Sequence, residues 1–306
     1  MMFWSVGIAL CGAFCMALGS ALQERDTVRA PGHSVARLGF LLHLARSPRW
    51  VLGTLAVGAG VGLHLVALSG APLTIIQPIG VTGLLFAIVL SAVFNRTRVR
   101  SSQILAGLAV MVGLAGVLFL FPHHTSSAPE LPLPAALALT GTVAVVGLAV
   151  YFAAPWVPVG ARAVLLATMG GIALGTTSAL ARVVAAAAAS NPIAVLSWLT
   201  VLAVAVALFG GLLQQNAYRT GHFAAAYATL LVVDPITGAG IGALVLGEGL
   251  PTTLADQLLA TGAAALAIAG TAVLARAKNR NPEAGNRHGN GPGPELVDTT
   301  SSGDAK

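Results

Sequence analysis

Charge is scarce in this sequence: Asp, Glu, Lys and Arg make up 8% of its 306 residues, against about a quarter in an ordinary soluble domain. With 56% hydrophobic residues and a mean hydropathy of +0.85, the chain cannot cover a water-facing surface. That excludes a soluble enzyme, a disordered protein and a secreted disulfide scaffold. Cysteine is nearly absent as well. Cys11 and Cys15 lie four apart in one apolar stretch and offer neither a disulfide framework nor a metal pattern. Lysine occurs only at Lys278 and Lys306, outside every apolar run, which excludes a retinal Schiff base. A net charge of +6 and a pI near 10.2 would suit nucleic acid. The basic residues are scattered through short loops, however, with no basic stripe and no interleaved aromatics, so nucleic acid is not a partner.

Long apolar runs fill the space that charge leaves. About 20 apolar residues cross the hydrocarbon core as a helix, and nine runs qualify: 3–22, 51–69, 73–94, 104–121, 133–153, 163–188, 193–217, 223–247 and 258–275. The fold class expected is an all-α polytopic membrane protein. No positive segment precedes the first run, so it reads as a span and not as a cleaved signal peptide. Residues 35–50 mix apolar side chains with Arg37, His43, Arg46 and Arg49, which predicts an amphipathic helix lying at the interface. Its insertion would raise the count to ten.

Lys and Arg mark the cytoplasmic side of a membrane protein. Arg25, Arg29, Arg37, Arg46 and Arg49 follow the first run, and Arg96, Arg98 and Arg100 the third. Arg162 follows the fifth, Arg219 the seventh, and Arg276, Lys278, Arg280, Arg287 and Lys306 the ninth. These alternate loops hold 15 of the 16 basic residues; Arg182, inside the sixth run, is the other. The pattern predicts an odd number of spans in the inner (plasma) membrane, with the N-terminus outside and the C-terminus in the cytoplasm. From about residue 277 the composition turns to Gly, Pro, Asn, Ser and Asp, which predicts a disordered cytoplasmic tail over 277–306.

The membrane part, 1–276, carries weak internal likeness. ALGSAL at 17–22 matches ALGTTSAL at 173–180, and both the third and eighth runs place a polar residue before proline, Gln77-Pro78 and Asp234-Pro235. The second and seventh runs also end alike, at Gly70 and Gly221. The matches divide the chain into a repeat over about 1–121, a linker helix at 133–153 and a second repeat over about 163–276. One linker span turns the second repeat upside down relative to the first, the inverted topology common among secondary transporters. The third-run match needs a gap, since Gly70 to Pro78 is eight residues and Gly221 to Pro235 fourteen.

Asp234 is the residue that most needs explaining. A charge at the centre of a span costs about 2.5–3.5 kcal/mol on insertion scales, so it should face a cavity or a partner. Pro235 removes a helix hydrogen bond beside it and predicts a helix broken at midplane. The competing reading is a protonated structural Asp bonded to a neighbouring helix. Gln77 and Pro78 form the counterpart on the third span, and serve equally as a structural kink. His64, in the outer half of the second span, is either a titrating group or a packing histidine. Gln214, Gln215 and Asn216 sit near the inner end of the seventh span, with at most two able to face a cavity. Glu248 falls at the outer end of the eighth span. Arg182 either snorkels to the surface or pairs with Asp234 or Glu248. The glycine pairs 58/62, 171/175 and 238/242 read as close-packing points. No clustered catalytic set, cofactor motif or metal-ligand pattern is present, which favours a transporter over an enzyme.

Residues 212–250, LLQQNAYRTGHFAAAYATLLVVDPITGAGIGALVLGEGL, resemble the second-repeat signature of the drug/metabolite transporter superfamily, with Pro235 and Gly247-Glu248 in its places. Residues 44–79 are similar to the actinobacterial EamA-like and NIPA-like branch, although Val93-Phe94-Asn95 stands where the first repeat would carry Gly-Glu. The resemblance implies alternating access around a midplane cavity, with Asp234, Pro235, Gln77, Pro78, His64, Gln215, Asn216 and Glu248 along the pathway. It implies a small-molecule or ion substrate and the lipid bilayer as partners, with a homodimer allowed. Nine spans are also similar to NIPA-like magnesium transporters, so a divalent-cation carrier is the alternative, and a non-transporting membrane scaffold the third.

Overall fold

The computed structural model describes residues 2–29, 38–70, 73–120, 131–246 and 253–276. Every regular element among them is helical. The first part of the chain forms α1 (Met2–Arg29), α2 (Leu38–Leu44), α3 (Pro48–Gly70), α4 (Leu73–Val81), α5 (Gly83–Asn95) and α6 (Ser101–Leu120). The rest forms α7 (Leu133–Ala153), α8 (Val159–Ser190), α9 (Trp198–Tyr218), α10 (Phe223–Leu244) and α11 (Leu254–Arg276). Among the described residues, 8 helices are long and apolar enough to cross a membrane. Their outward faces leave Leu105, Phe119 and Val201 69–71% exposed, a burden that hydrocarbon accepts and water does not. Trp4, Trp156 and Trp198 stand at helix ends, where an indole bridges the apolar and polar layers. The protein is an integral, polytopic membrane protein.

Several boundaries differ from the sequence expectation, each for a local reason. The helix at 35–50 does not form as one piece: α2 stops at Leu44, a turn follows, and Pro48 opens α3. Proline suits a first helical turn, where no N–H partner is lost, and the Ser47 carbonyl accepts from Val51 N–H at 3.0 Å. The seventh run starts at Trp198 and not at 193, because Pro192–Leu196 winds as a 3₁₀ turn. The two prolines act differently. After Pro78 the chain breaks at Thr82, whose N–H and hydroxyl both donate to the Ile79 carbonyl, at 3.0 and 2.6 Å. Pro235 breaks nothing: α10 runs continuously from Phe223 to Leu244.

Small residues let the helices meet. In α1 against α3, a methyl group built on Gly12 would lie 3.0 Å from the Gly60 carbonyl, and one on Gly60 2.7 Å from that of Gly12. Gly19 and Gly53 oppose each other in the same way, each methyl colliding with the other's carbonyl. In α8 against α9, Gly170 and Gly210 do the same, at 3.4 and 3.3 Å. A methyl on Gly113 of α6 would lie 2.5 Å from the Ala263 carbonyl oxygen and 2.6 Å from Ala267 N, both of α11. Of the expected packing pairs, 171/175 is one, pressed against α10. Gly58 and Gly62 are not, since a methyl on either meets nothing within 4 Å. Gly238 faces Gly175: a methyl on Gly175 would lie 3.1 Å from Gly238 N, and one on Gly238 would lie 3.8 Å from the Gly175 carbonyl oxygen. Beyond these contacts α1 packs on α5, α8 on α10 and α6 on α11, while α7 leans on α8 and α9.

Candidate functional site

A cavity of about 240 Å³ opens where α1, α3, α4, α6 and α10 converge. Met16, Leu114 and Leu118 give it an apolar wall, and His64, Asp234 and Pro235 give it chemistry. Residues 170 positions apart in sequence thus share one space. His64 reaches it because α4 offers no side chain at Gly80: a methyl there would lie 3.1 Å from the imidazole Cε1. Gly80 lies two residues beyond Pro78.

Asp234 reaches the same space because α8 lets α10 approach closely. A methyl on Gly171 would sit 2.8 Å from Val233 Cβ, and one on Gly175 would collide with the Asp234 carbonyl oxygen and lie 2.8 Å from Thr237 Cβ. Ser178, one turn further along α8, donates a long 3.5 Å hydroxyl bond to Asp234 Oδ1. Pro235 has no N–H, so the Leu231 carbonyl one turn earlier loses its ordinary helix partner. Leu231, Asp234 and Pro235 all line the cavity. A carboxylate, an imidazole and a relieved carbonyl against apolar walls suit one small solute or a proton; a bare divalent ion wants several hard oxygens.

The end of the bundle that carries the basic loops is closed by polar contacts that sequence reading did not find. Gln215 of α9 donates to Gln23 Oε1 at 2.9 Å and accepts from the Thr27 hydroxyl at 2.9 Å and from Trp50 Nε1 at 3.4 Å. Gln23 donates to Thr54 Oγ1 at 3.0 Å. Glu24, only 2% exposed, accepts from Asn95 Nδ2 at 2.8 Å and from the Ser91 hydroxyl at 3.5 Å. Glu24 is thus more deeply buried than Asp234, which is half-buried. Gln214 donates to the Tyr218 hydroxyl at 2.8 Å; from there the Tyr218 ring meets Phe223 edge-on and Phe223 meets Tyr227 at a tilt, with centroids 5.0 and 5.6 Å apart. Gln215→Ala removes the partner of the Trp50 indole N–H and of the Gln23 amide oxygen at once, while the Thr27 hydroxyl keeps the Gln23 carbonyl at 2.6 Å. It is expected to cost about 2–3 kcal/mol, read as a lower midpoint of detergent-solubilised unfolding with a shift in Trp emission.

Of the expected pathway residues, the cavity gathers His64, Asp234 and Pro235. Gln215 belongs to the closing contacts instead, and the Asn216 amide donates to the Leu212 carbonyl of its own helix at 2.8 Å. Pro78 is half-buried in α4. The Gln77 side chain and Glu248 lie outside the described residues. Arg182 is exposed on α8, one turn beyond Ser178.

No family model matches the chain, and no solved structure matches it. A protein of Corynebacterium glutamicum described as uncharacterized is 27% identical over 247 residues, which cover 80% of this chain and 85% of that protein.

Proposed function

We propose that the protein is a secondary transporter, and no enzyme, that moves a small solute across the plasma membrane by alternating access. The observation that carries this reading is the shared cavity: four helices of the first half and one of the second enclose Asp234 and His64. Two inverted halves are supported by how the helices pair. α1 packs on α3 and α5, and α8 packs on α9 and α10, the corresponding partners in chain order; α6 and α11, the last helix of each half, pack on one another. Counting α3, 23 residues long, as a span gives nine, with α7 as the linker. With the basic end in the cytoplasm, the cavity lies from midplane toward the outer face, and the Gln215 and Glu24 contacts close the inner mouth. Such a state is outward-facing. The likeness of residues 212–250 to drug/metabolite transporters points the same way.

Binding alone cannot drive uphill flux. Asp234, beside His64 and under apolar walls, is the group suited to carry a proton while the solute occupies the same space. The test is uptake or efflux in proteoliposomes under an imposed pH gradient, with solutes chosen by thermal shift of the purified protein. Flux that follows the gradient supports the reading; flux indifferent to it removes the coupling.

A further inference from the structure

A second and larger cavity, about 900 Å³, lies at the basic end between the start of α8, the middle of α10 and the last turns of α11. Its depth runs from Arg276 to Ile268 on α11 and from Pro158 to Thr168 on α8. At 1.5 Å per residue that is about 12–15 Å, the thickness of one leaflet's hydrocarbon. The inner walls are mostly apolar, with Thr168, Thr229 and Thr271 as the polar side chains. Both Thr229 and Thr271 donate their hydroxyls to their own helices, to Ala225 O at 2.7 Å and Ala267 O at 2.9 Å.

The mouth is different. Arg276 lines it directly. Arg162 follows the lining Ala161 in the first turn of α8 without lining the groove itself; it donates through Nη2 to the Pro155 and Val157 carbonyls, each at 3.1 Å, and its buried Nε has no partner. His222 stands beside the lining Gly160, its Nε2 3.7 Å from where a methyl there would lie. None of the carboxylates among the described residues lines this groove.

We propose that this groove binds an anionic phospholipid of the leaflet at the basic end, with an acyl chain between α8, α10 and α11 and the phosphate at Arg276, to which Arg162, next to the lining Ala161, adds its charge. An apolar slot one leaflet deep under a cationic mouth fits that chemistry, and a zwitterionic lipid, whose phosphate comes with its own cation, brings that mouth no net negative charge. The groove borders α10 at Val233, next to Asp234, so its occupant braces the helix that carries the site. The proposal needs only the membrane placement of these helices and stands apart from the transporter reading.

The probes are phosphatidylglycerol and phosphatidylcholine with identical chains, added to the purified full chain and read by native mass spectrometry. Phosphatidylglycerol should be retained about tenfold more, and Arg162→Gln with Arg276→Gln should bring the two lipids level. Thr271→Trp, which fills the slot, should lose both. A phosphatidylglycerol with a photoreactive acyl chain, which requires no variant, should crosslink to α8 and α11 near Thr168 and Ile268. Equal retention of the two lipids by the unaltered protein overturns the proposal, as does crosslinking that avoids these helices.

Discussion

Asp234→Asn leaves the protein folded and cuts solute flux driven by an imposed pH gradient about a hundredfold, the order of effect expected when a positioned proton-carrying group is removed. The amide keeps the size of the carboxyl and can still accept the Ser178 hydroxyl, which stands 3.5 Å from Oδ1. Pro235 and the close approach of α8 are unchanged, so the cavity keeps its shape. What the variant lacks is a site that loses and regains a proton as the solute leaves and enters. Solute exchange without a gradient should therefore persist within about threefold, because exchange uses the cavity and not the coupling. Full gradient-driven flux in Asp234→Asn would remove the residue from the mechanism. Loss of exchange and of flux together, with a normal unfolding midpoint, would make Asp234 a solute ligand and not a proton carrier.

A single methyl group is expected to carry a large stability effect. Gly175→Ala places a Cβ against the Asp234 backbone carbonyl, with Thr237 Cβ 2.8 Å and Gly238 N 3.1 Å away. The nearest obstacle is backbone, so no side chain can rotate aside and α8 must part from α10. Overpacking of this kind costs about 1–3 kcal/mol, and here it also displaces the site. Gly62→Ala supplies the contrast. Its methyl meets nothing within 4 Å, so the helix gains about 0.5–1 kcal/mol from the lost backbone freedom of glycine. Thermal unfolding in one detergent should move the two midpoints in opposite directions. Equal shifts would mean that α8 and α10 do not meet at Gly175.

These two glycines also show what the sequence could and could not disclose. Four-residue spacing marked 58/62 and 171/175 alike, but spacing names a helix face without naming what lies opposite. The α1–α3 contact uses Gly12 and Gly19 against Gly53 and Gly60, pairs seven apart that also repeat on one face. Asp234 was legible because a lone carboxylate in an apolar run must be accounted for. His64 was ambiguous until Gly80 was found against its ring and Asp234 on the wall of the same cavity. Glu24 was hidden by its neighbours: Gln23, Arg25 and Asp26 end the apolar run at Leu22, whereas α1 continues to Arg29. Its burial is decided by Ser91 and Asn95, 67 and 71 residues away. The Gln215 contacts were missed for the same reason, being 188 and 192 residues from Thr27 and Gln23 in sequence.

Accessibility of the cavity from each side of the membrane tests the central claim most directly. Leu231→Cys, in a chain with Cys11 and Cys15 replaced by serine, puts one thiol on the cavity wall and leaves Asp234 in place. Val201→Cys, at a position 69% exposed on the outer surface of α9, is the lipid-facing control. A small membrane-impermeant thiol reagent is applied to vesicles of either orientation. The expected result is faster labelling of Leu231→Cys than of the control from the face opposite the basic end, slow labelling from the basic end, and a rate that changes when a transported solute is added. Labelling no faster than Val201→Cys from both faces, with and without solute, would mean that the space around Asp234 is no pathway, and would contradict the transporter.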